Sequence, residues 1–118
     1  MVKKAFILST CDTCKRILNQ LQLDDSWTIQ DIKQENIQEQ DLITIAEQQG
    51  GFEACFNKRA RKYKSEGYAE KNLTDADFKD LILGEYTFLK RPVFMLGNQS
   101  WAGNSKKTIE DLASHLNG

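Results

Sequence analysis

The sequence predicts an α/β domain, a mixed sheet with helices on its faces, and two observations carry that prediction. The first is near the N-terminus. Ala5, Phe6, Ile7 and Leu8 form a short apolar run that reads as a buried strand; Ser9 and Thr10 break it, and Ile17, Leu18 and Leu21 then recur at helical spacing. The second is near the C-terminus. The apolar run Val93-Phe94-Met95-Leu96, the turn signal Gly97-Asn98 and the segment Gln99-Ser100-Trp101 read as a hairpin. A strand–helix–strand unit joined to a hairpin and a last helix makes a mixed sheet covered on its faces.

Between these ends the elements follow from local signals. Trp27-Thr28-Ile29-Gln30 is a second strand, ending near Asp31. Asn36-Ile37-Gln38-Glu39 has the form of a capping box. It opens a helix carrying Leu42, Ile43, Ile45 and Ala46, which Gly50-Gly51 stops. Residues from Phe52 to Asn72 are irregular and suit short helices. Thr74 caps a helix bearing Phe78, Leu81 and Ile82, and Gly84 ends it. Ser105 caps a last helix with Ile109, Leu112, Ala113 and Leu116 on one face.

The chain has 118 residues, enough for one domain with one core over residues 1–118. It is 40% hydrophobic and 28% charged, and no apolar run approaches the roughly 20 residues of a membrane span. Met1-Val2-Lys3-Lys4 leads into too few apolar residues for a signal-peptide core, so a cytoplasmic location is expected. The net charge of −1 points to neither nucleic acid nor membrane as a bulk electrostatic partner. Three cysteines in such a chain suggest catalysis, redox sensing or metal binding more than a disulfide framework.

The chemistry centres on Cys11-Asp12-Thr13-Cys14-Lys15. This segment sits where the first strand hands over to a helix, and helix starts carry unpartnered N–H groups and partial positive charge. A thiol there shifts towards thiolate, the nucleophilic form. Lys15 adds a cation and Asp12 opposes it. Cys11 and Cys14 are three apart, on one helical face. Zinc normally takes four ligands in two pairs, whereas the third cysteine, Cys55, is solitary and His115 lies far along the chain. No metal site is expected. Two structural cysteines remain the plain alternative to the favoured redox-active pair.

Pro92 is the only proline, and it stands directly before the third strand in Lys90-Arg91-Pro92-Val93. It either starts a strand or forms a cis bond, which only proline takes at low cost. In thioredoxin-like folds a cis-proline lies opposite the cysteine motif, and this position fits that likeness. Lys58, Arg59, Arg61, Lys62 and Lys64 crowd five cations into one short stretch. Such a run is commonly a solvated face, or one or two of its members reach the Cys11 thiolate or an anion, as arginine's planar fork suits. Arg91, tied to Pro92, is the stronger candidate for that role. Cys55, between Ala54 and Phe56, reads as a packed core thiol.

Cys11-Asp12-Thr13-Cys14-Lys15, Phe56-Asn57-Lys58-Arg59 and Lys90-Arg91-Pro92, in this order and spacing, resemble the arsenate reductase (ArsC)/Spx family. The resemblance covers nearly the whole chain. It implies a thioredoxin-like, glutaredoxin-like fold with a helical insertion at roughly 36–84. It makes Cys11 the nucleophile and Arg91-Pro92 the family's arginine and cis-proline, with Thr13, Lys15, Asn57 and Arg59 as anion- or substrate-binding positions. Glutaredoxin-coupled arsenate reductases use one essential cysteine and three arginines. Here Asn57 stands where the first is expected, with Arg59 displaced by two, and Ala102-Gly103-Asn104-Ser105 offers no third. Each missing charge-assisted bond weakens oxyanion binding by about 1.5–3 kcal/mol. Asp12-Thr13 and the Asn57-Lys58-Arg59 segment look more like YffB-type members, and Cys14 looks like Spx. The resemblance thus implies a thiol oxidoreductase with Cys14 as resolving thiol, no bound cofactor, and glutathione as a co-substrate. Glutaredoxin or thioredoxin would be the electron donor, and a monomer is expected. Its rival is an Spx-like redox-sensing regulator that binds RNA polymerase through a Cys11–Cys14 switch.

Overall fold

In the computed structural model, which describes residues 1–117, β1 (Lys3–Ile7) and β3 (Val93–Leu96) occupy the middle of a four-stranded sheet. The order is β2-β1-β3-β4, with β2 (Thr28–Asp31) and β4 (Gln99–Ala102) at the edges. β1 runs parallel to β2 and antiparallel to β3, and β3 pairs antiparallel with β4. The register places Ala5 beside both Ile29 and Phe94, and Phe94 beside Trp101. The expected mixed sheet is present, with β2 one residue later than its sequence signal suggests.

Alternation along the central strands divides the core into two. Phe6, Val93 and Met95 face one side, where they pack with Ile32, Leu42, Ile45, Phe56, Phe78, Ile82 and Leu89. Ala5, Ile7 and Phe94 face the other, with Cys14, Ile17, Trp27, Trp101, Ile109 and Leu112. Both faces are covered, which is why the central strands read as unbroken apolar runs instead of alternating ones. α1 (Asp12–Leu21) and α5 (Lys106–Asn117) supply the second layer. The first is supplied by the segment between β2 and β3, which carries α2 (Glu39–Gln49), α3 (Arg61–Ser65) and α4 (Asp75–Gly84) with three short 3₁₀ turns.

The helix boundaries have identifiable causes. The Thr74 hydroxyl accepts from the Asp77 N–H at 3.2 Å, and the Asp77 carboxylate accepts from the Thr74 N–H at 2.9 Å, a reciprocal cap that starts α4. Ser105 accepts from the Thr108 N–H at 3.2 Å at the start of α5. α2 stops at Gly50, whose φ of 97° is the left-handed conformation that glycine adopts without a Cβ clash. The Asn36 capping box is a correction. α2 begins after Gln38, with no side-chain cap. The Asn36 side chain instead donates to the Ile82 and Leu83 carbonyls at 3.0 and 3.3 Å, tying the end of α4 to the loop after β2. Among the described residues, no helix is long and apolar enough to cross a membrane, and no group of three or more His, Cys, Asp or Glu is placed to hold a metal ion.

Candidate active site

The site begins at the turn between β1 and α1. The Cys11 N–H donates to the Leu8 carbonyl at 2.9 Å, which closes the turn, and the Cys11 carbonyl accepts from Lys15 at 3.1 Å as the first bond of the helix. Cys11 is therefore the N-cap, with extended backbone (φ −92°, ψ 116°), and Cys14 is the third helical residue. Asp31, at the end of β2, holds the approach to this turn by accepting from the Ser9 hydroxyl at 2.6 Å and the Ser9 N–H at 3.3 Å. Those bonds also keep the Asp31 carboxyl below its ordinary range.

The three cysteines are free thiols in contrasting surroundings. Cys11 is half-buried, whereas Cys14 and Cys55 are fully buried. Partial burial pushes the Cys11 thiol up, but several groups outweigh it. The Cys14 N–H and thiol, the Thr13 N–H and the Arg91 guanidinium together leave it below the ordinary 9.0. These N–H groups act at longer range than a regular capping bond, since the Cys11 sulfur makes none. Burial pushes the Cys14 thiol up to about 11, and the adjoining Cys11 adds to the rise. Burial likewise pushes Cys55 up to about 11. A thiol held below its ordinary range thus adjoins one held above it.

The Arg91–Pro92 bond is cis. Pro92 is buried, and its carbonyl accepts from the Gly103 N–H at 3.0 Å, which extends the β3–β4 pairing past Ala102. On the other side, this approach is laced to the residues before α3. The Lys90 N–H donates to the Cys55 carbonyl at 2.8 Å and the Asn57 N–H to the Phe88 carbonyl at 2.7 Å, about a Phe56–Leu89 bridge. The Phe56 ring then stacks on Phe88 and meets Phe78 and Tyr63 edge-on. An aromatic core therefore anchors the loop that carries the basic run.

Asn57 organises that loop. Its side-chain amide donates to the Thr87 carbonyl at 3.4 Å, and its side-chain oxygen accepts from the Arg59 N–H at 3.1 Å. The Arg91 guanidinium donates to the same Thr87 carbonyl at 3.3 Å. Both polar ends of Asn57 are thus engaged with backbone.

These segments enclose a cleft of about 960 Å³ whose lining includes Cys11, Asn57, Arg59 and Arg91. The structure therefore brings together four of the eight residues marked from sequence. Thr13, Cys14, Lys15 and Pro92 do not line the cleft. Cys14 lies beneath Cys11, Pro92 is in the core, and Lys15 is exposed on α1. The cation that acts on Cys11 is Arg91. Sequence reasoning did not single out Lys90, Thr87, Asn104 or Thr108, which also line the cleft. Arg61 was visible only as part of the basic run, and no local signal distinguishes it from the solvated Lys64.

The ArsC family profile matches residues 6–112. No curated protein matches the sequence. Among solved structures, a YffB protein superposes with a TM-score of 0.80 at 22% identity, over 98% of this chain and 99% of that one. An ArsC family related protein from Bacteroides fragilis gives a TM-score of 0.78 at 20% identity, covering 95% and 98%. An arsenate reductase from Vibrio cholerae gives 0.74 at 16% identity, covering 94% and 97%. The mixed sheet with flanking helices is the thioredoxin-like fold of that family, and with the profile matched across both ends of the sheet, the chain belongs to the ArsC family.

Proposed function

We propose that the protein is a dithiol oxidoreductase in which Cys11 is the nucleophile and Cys14 the resolving thiol. The observation that carries this reading is the contrast between the paired thiols, one half-exposed with a lowered pKa and one buried and held protonated. The Cys11 thiolate attacks one sulfur of a substrate disulfide. A Cys11 mixed disulfide forms, and the other substrate sulfur leaves as a thiolate that takes up a proton. Cys14 then loses its proton and attacks the Cys11 sulfur. The Cys11–Cys14 disulfide forms and the second substrate thiolate departs. The substrate has gained two electrons and the protein has lost two. A thiol donor, glutathione with glutaredoxin or a dithiol protein such as thioredoxin, reverses the oxidation. Arg91 stabilises the attacking thiolate, and Arg59 lies along the path of an incoming anion.

Arsenate is a poor fit to this reading. Asn57 spends its side chain on Thr87 and Arg59 backbone, and Ala102–Ser105, which also lines the cleft, supplies no cation of its own. The attacking sulfur is itself anionic, and Arg91 is the one cation that acts on it, so repulsion from a second anion bonded directly to that sulfur is weakly compensated.

The test is steady-state reduction of disulfides and of arsenate with each donor system, beside mass spectrometry of the oxidised protein. Disulfide turnover with a Cys11–Cys14 bond is the expected result. A stable Cys11–Cys14 bond with no turnover on any substrate would favour the Spx-like switch. An oxidised form carrying glutathione on Cys11 with Cys14 free would return the chain to a single-cysteine mechanism.

A further inference from the structure

The cleft beside Cys11 carries an excess of cations. Lys58, Arg59, Arg61 and Lys62 line it from the loop after Phe56 and from α3, Arg91 stands near the cysteine, and Lys90 lies against Gly103. Two of these are neutralised within the protein, Lys58 by Glu53 and Lys62 by Glu85. Among the described residues, Arg59, Arg61, Lys90 and Arg91 form no ion pair. Three of the chain's four arginines therefore converge unpaired on one cleft, in a protein whose net charge is −1. Ala102-Gly103-Asn104-Ser105 also lines the cleft; it carries no charge of its own but offers polar side chains and backbone, and the Lys90 stem lies against Gly103.

This pattern describes a ligand that carries negative charge. Its size argues against a lone oxyanion, because about 960 Å³ is at the upper end of pockets that enclose whole small molecules. Its composition argues for oxyanion groups, which arginine forks bind bidentately, and on a peptide disulfide those groups are carboxylates. Arg59 and Arg61 are exposed, line the same cleft as Cys11 and are not among the groups that act on its thiol, so they suit groups removed from the attacked sulfur. We propose that the cleft selects disulfides borne on acidic peptide segments, with carboxylates flanking the attacked sulfur held by Arg59 and Arg61. This rests on the dithiol oxidoreductase reading and adds its substrate class. Cys11 attacks the peptide sulfur, the partner sulfur leaves, and Cys14 releases the peptide thiol as the internal disulfide forms. A thiol donor supplies the two electrons for the next cycle.

The test uses blocked cysteine peptides activated as 2-thiopyridyl disulfides, whose leaving group is neutral. They are identical except for flanking Glu, Gln or Lys residues, and the glutathione analogue is a further arm. Release of 2-thiopyridone by the reduced protein gives the rate of Cys11 attack. The expected acidic-to-neutral rate ratio at low ionic strength is about tenfold, the order that two exposed charge pairs supply. Roughly 0.5 M salt, and the variant R59Q/R61Q, should each bring the ratio within about twofold. R59K/R61K should restore most of it. Because the ratio compares two substrates on one protein, partial loss of folded protein cancels out. Equal rates for all peptides, with the Cys11–Cys14 bond still forming, would overturn the acidic-peptide proposal and leave the oxidoreductase reading standing. Arginine dependence confined to the glutathione analogue would also overturn it. No release from any probe would overturn both.

Discussion

Alkylation at pH 7 should modify Cys11 well before Cys14 or Cys55, and the size of that preference follows from the site. With Cys11 below 9.0, its thiolate fraction at pH 7 exceeds about 1%. With Cys14 and Cys55 near 11, theirs is about 0.01%, a hundredfold less. Nucleophilicity runs the other way. A thiolate whose parent is more acidic by about two pK units is about eightfold less reactive, taking a Brønsted slope near 0.45. Ionisation wins, leaving a preference of at least about twelvefold before burial is counted. Full burial of Cys14 and Cys55 raises it further. The assay is timed iodoacetamide labelling followed by peptide mass spectrometry, repeated across pH. Arg91→Gln removes the guanidinium that favours the thiolate, so the midpoint of the Cys11 rate should move upward. Labelling of Cys55 or Cys14 ahead of Cys11 would refute the reasoning, as would a midpoint that Arg91→Gln leaves in place.

Three further outcomes are expected. Cys14→Ser removes the resolving thiol, so treatment with glutathione disulfide should trap glutathione on Cys11, where the parent protein proceeds to the internal disulfide. Cys55→Ala should flatten the alkaline stability profile. Cys55 titrates near 11 folded and near 9.0 unfolded, so the unfolded state loses its proton first and stability falls as pH rises between those values. Urea unfolding at pH 8 and pH 11 should show a loss specific to Cys55 of about 2 kcal/mol, absent from the variant. Asn57→Ala should cost about 1–2 kcal/mol, because it leaves the Arg59 N–H and part of the Thr87 carbonyl without their partner. Thermal unfolding measures it, and an unchanged melting temperature would show that water replaces the amide.

Local chemistry made much of this protein legible from its residues. Apolar runs at Ala5–Leu8 and Val93–Leu96 announce strands because both faces of the sheet are covered, and no polar residue interrupts them. Thr74 announces α4, since its cap partner Asp77 lies only three residues away. Cys11 announces the site because a helix start polarises whatever stands there, wherever the rest of the chain goes. Tertiary structure decided the roles whose partners are remote in sequence. Asn36 has the form of a cap, yet its amide is claimed by carbonyls of Ile82 and Leu83 that arrive only when α4 packs. Asn57 reads as a vacant arginine position, and the fold makes it the joint between the basic loop and Thr87. Arg61 and Lys64 are equivalent as members of a charge run, but only Arg61 lines the cleft. That difference depends on how α3 is turned by the aromatic packing of Phe56 and Tyr63 beneath it. Hydrogen bonds within a few residues are written in the local sequence. Cleft walls assembled from the turn before α1, the loop before α3, the approach to β3 and the start of α5 exist only once non-local burial has brought them together.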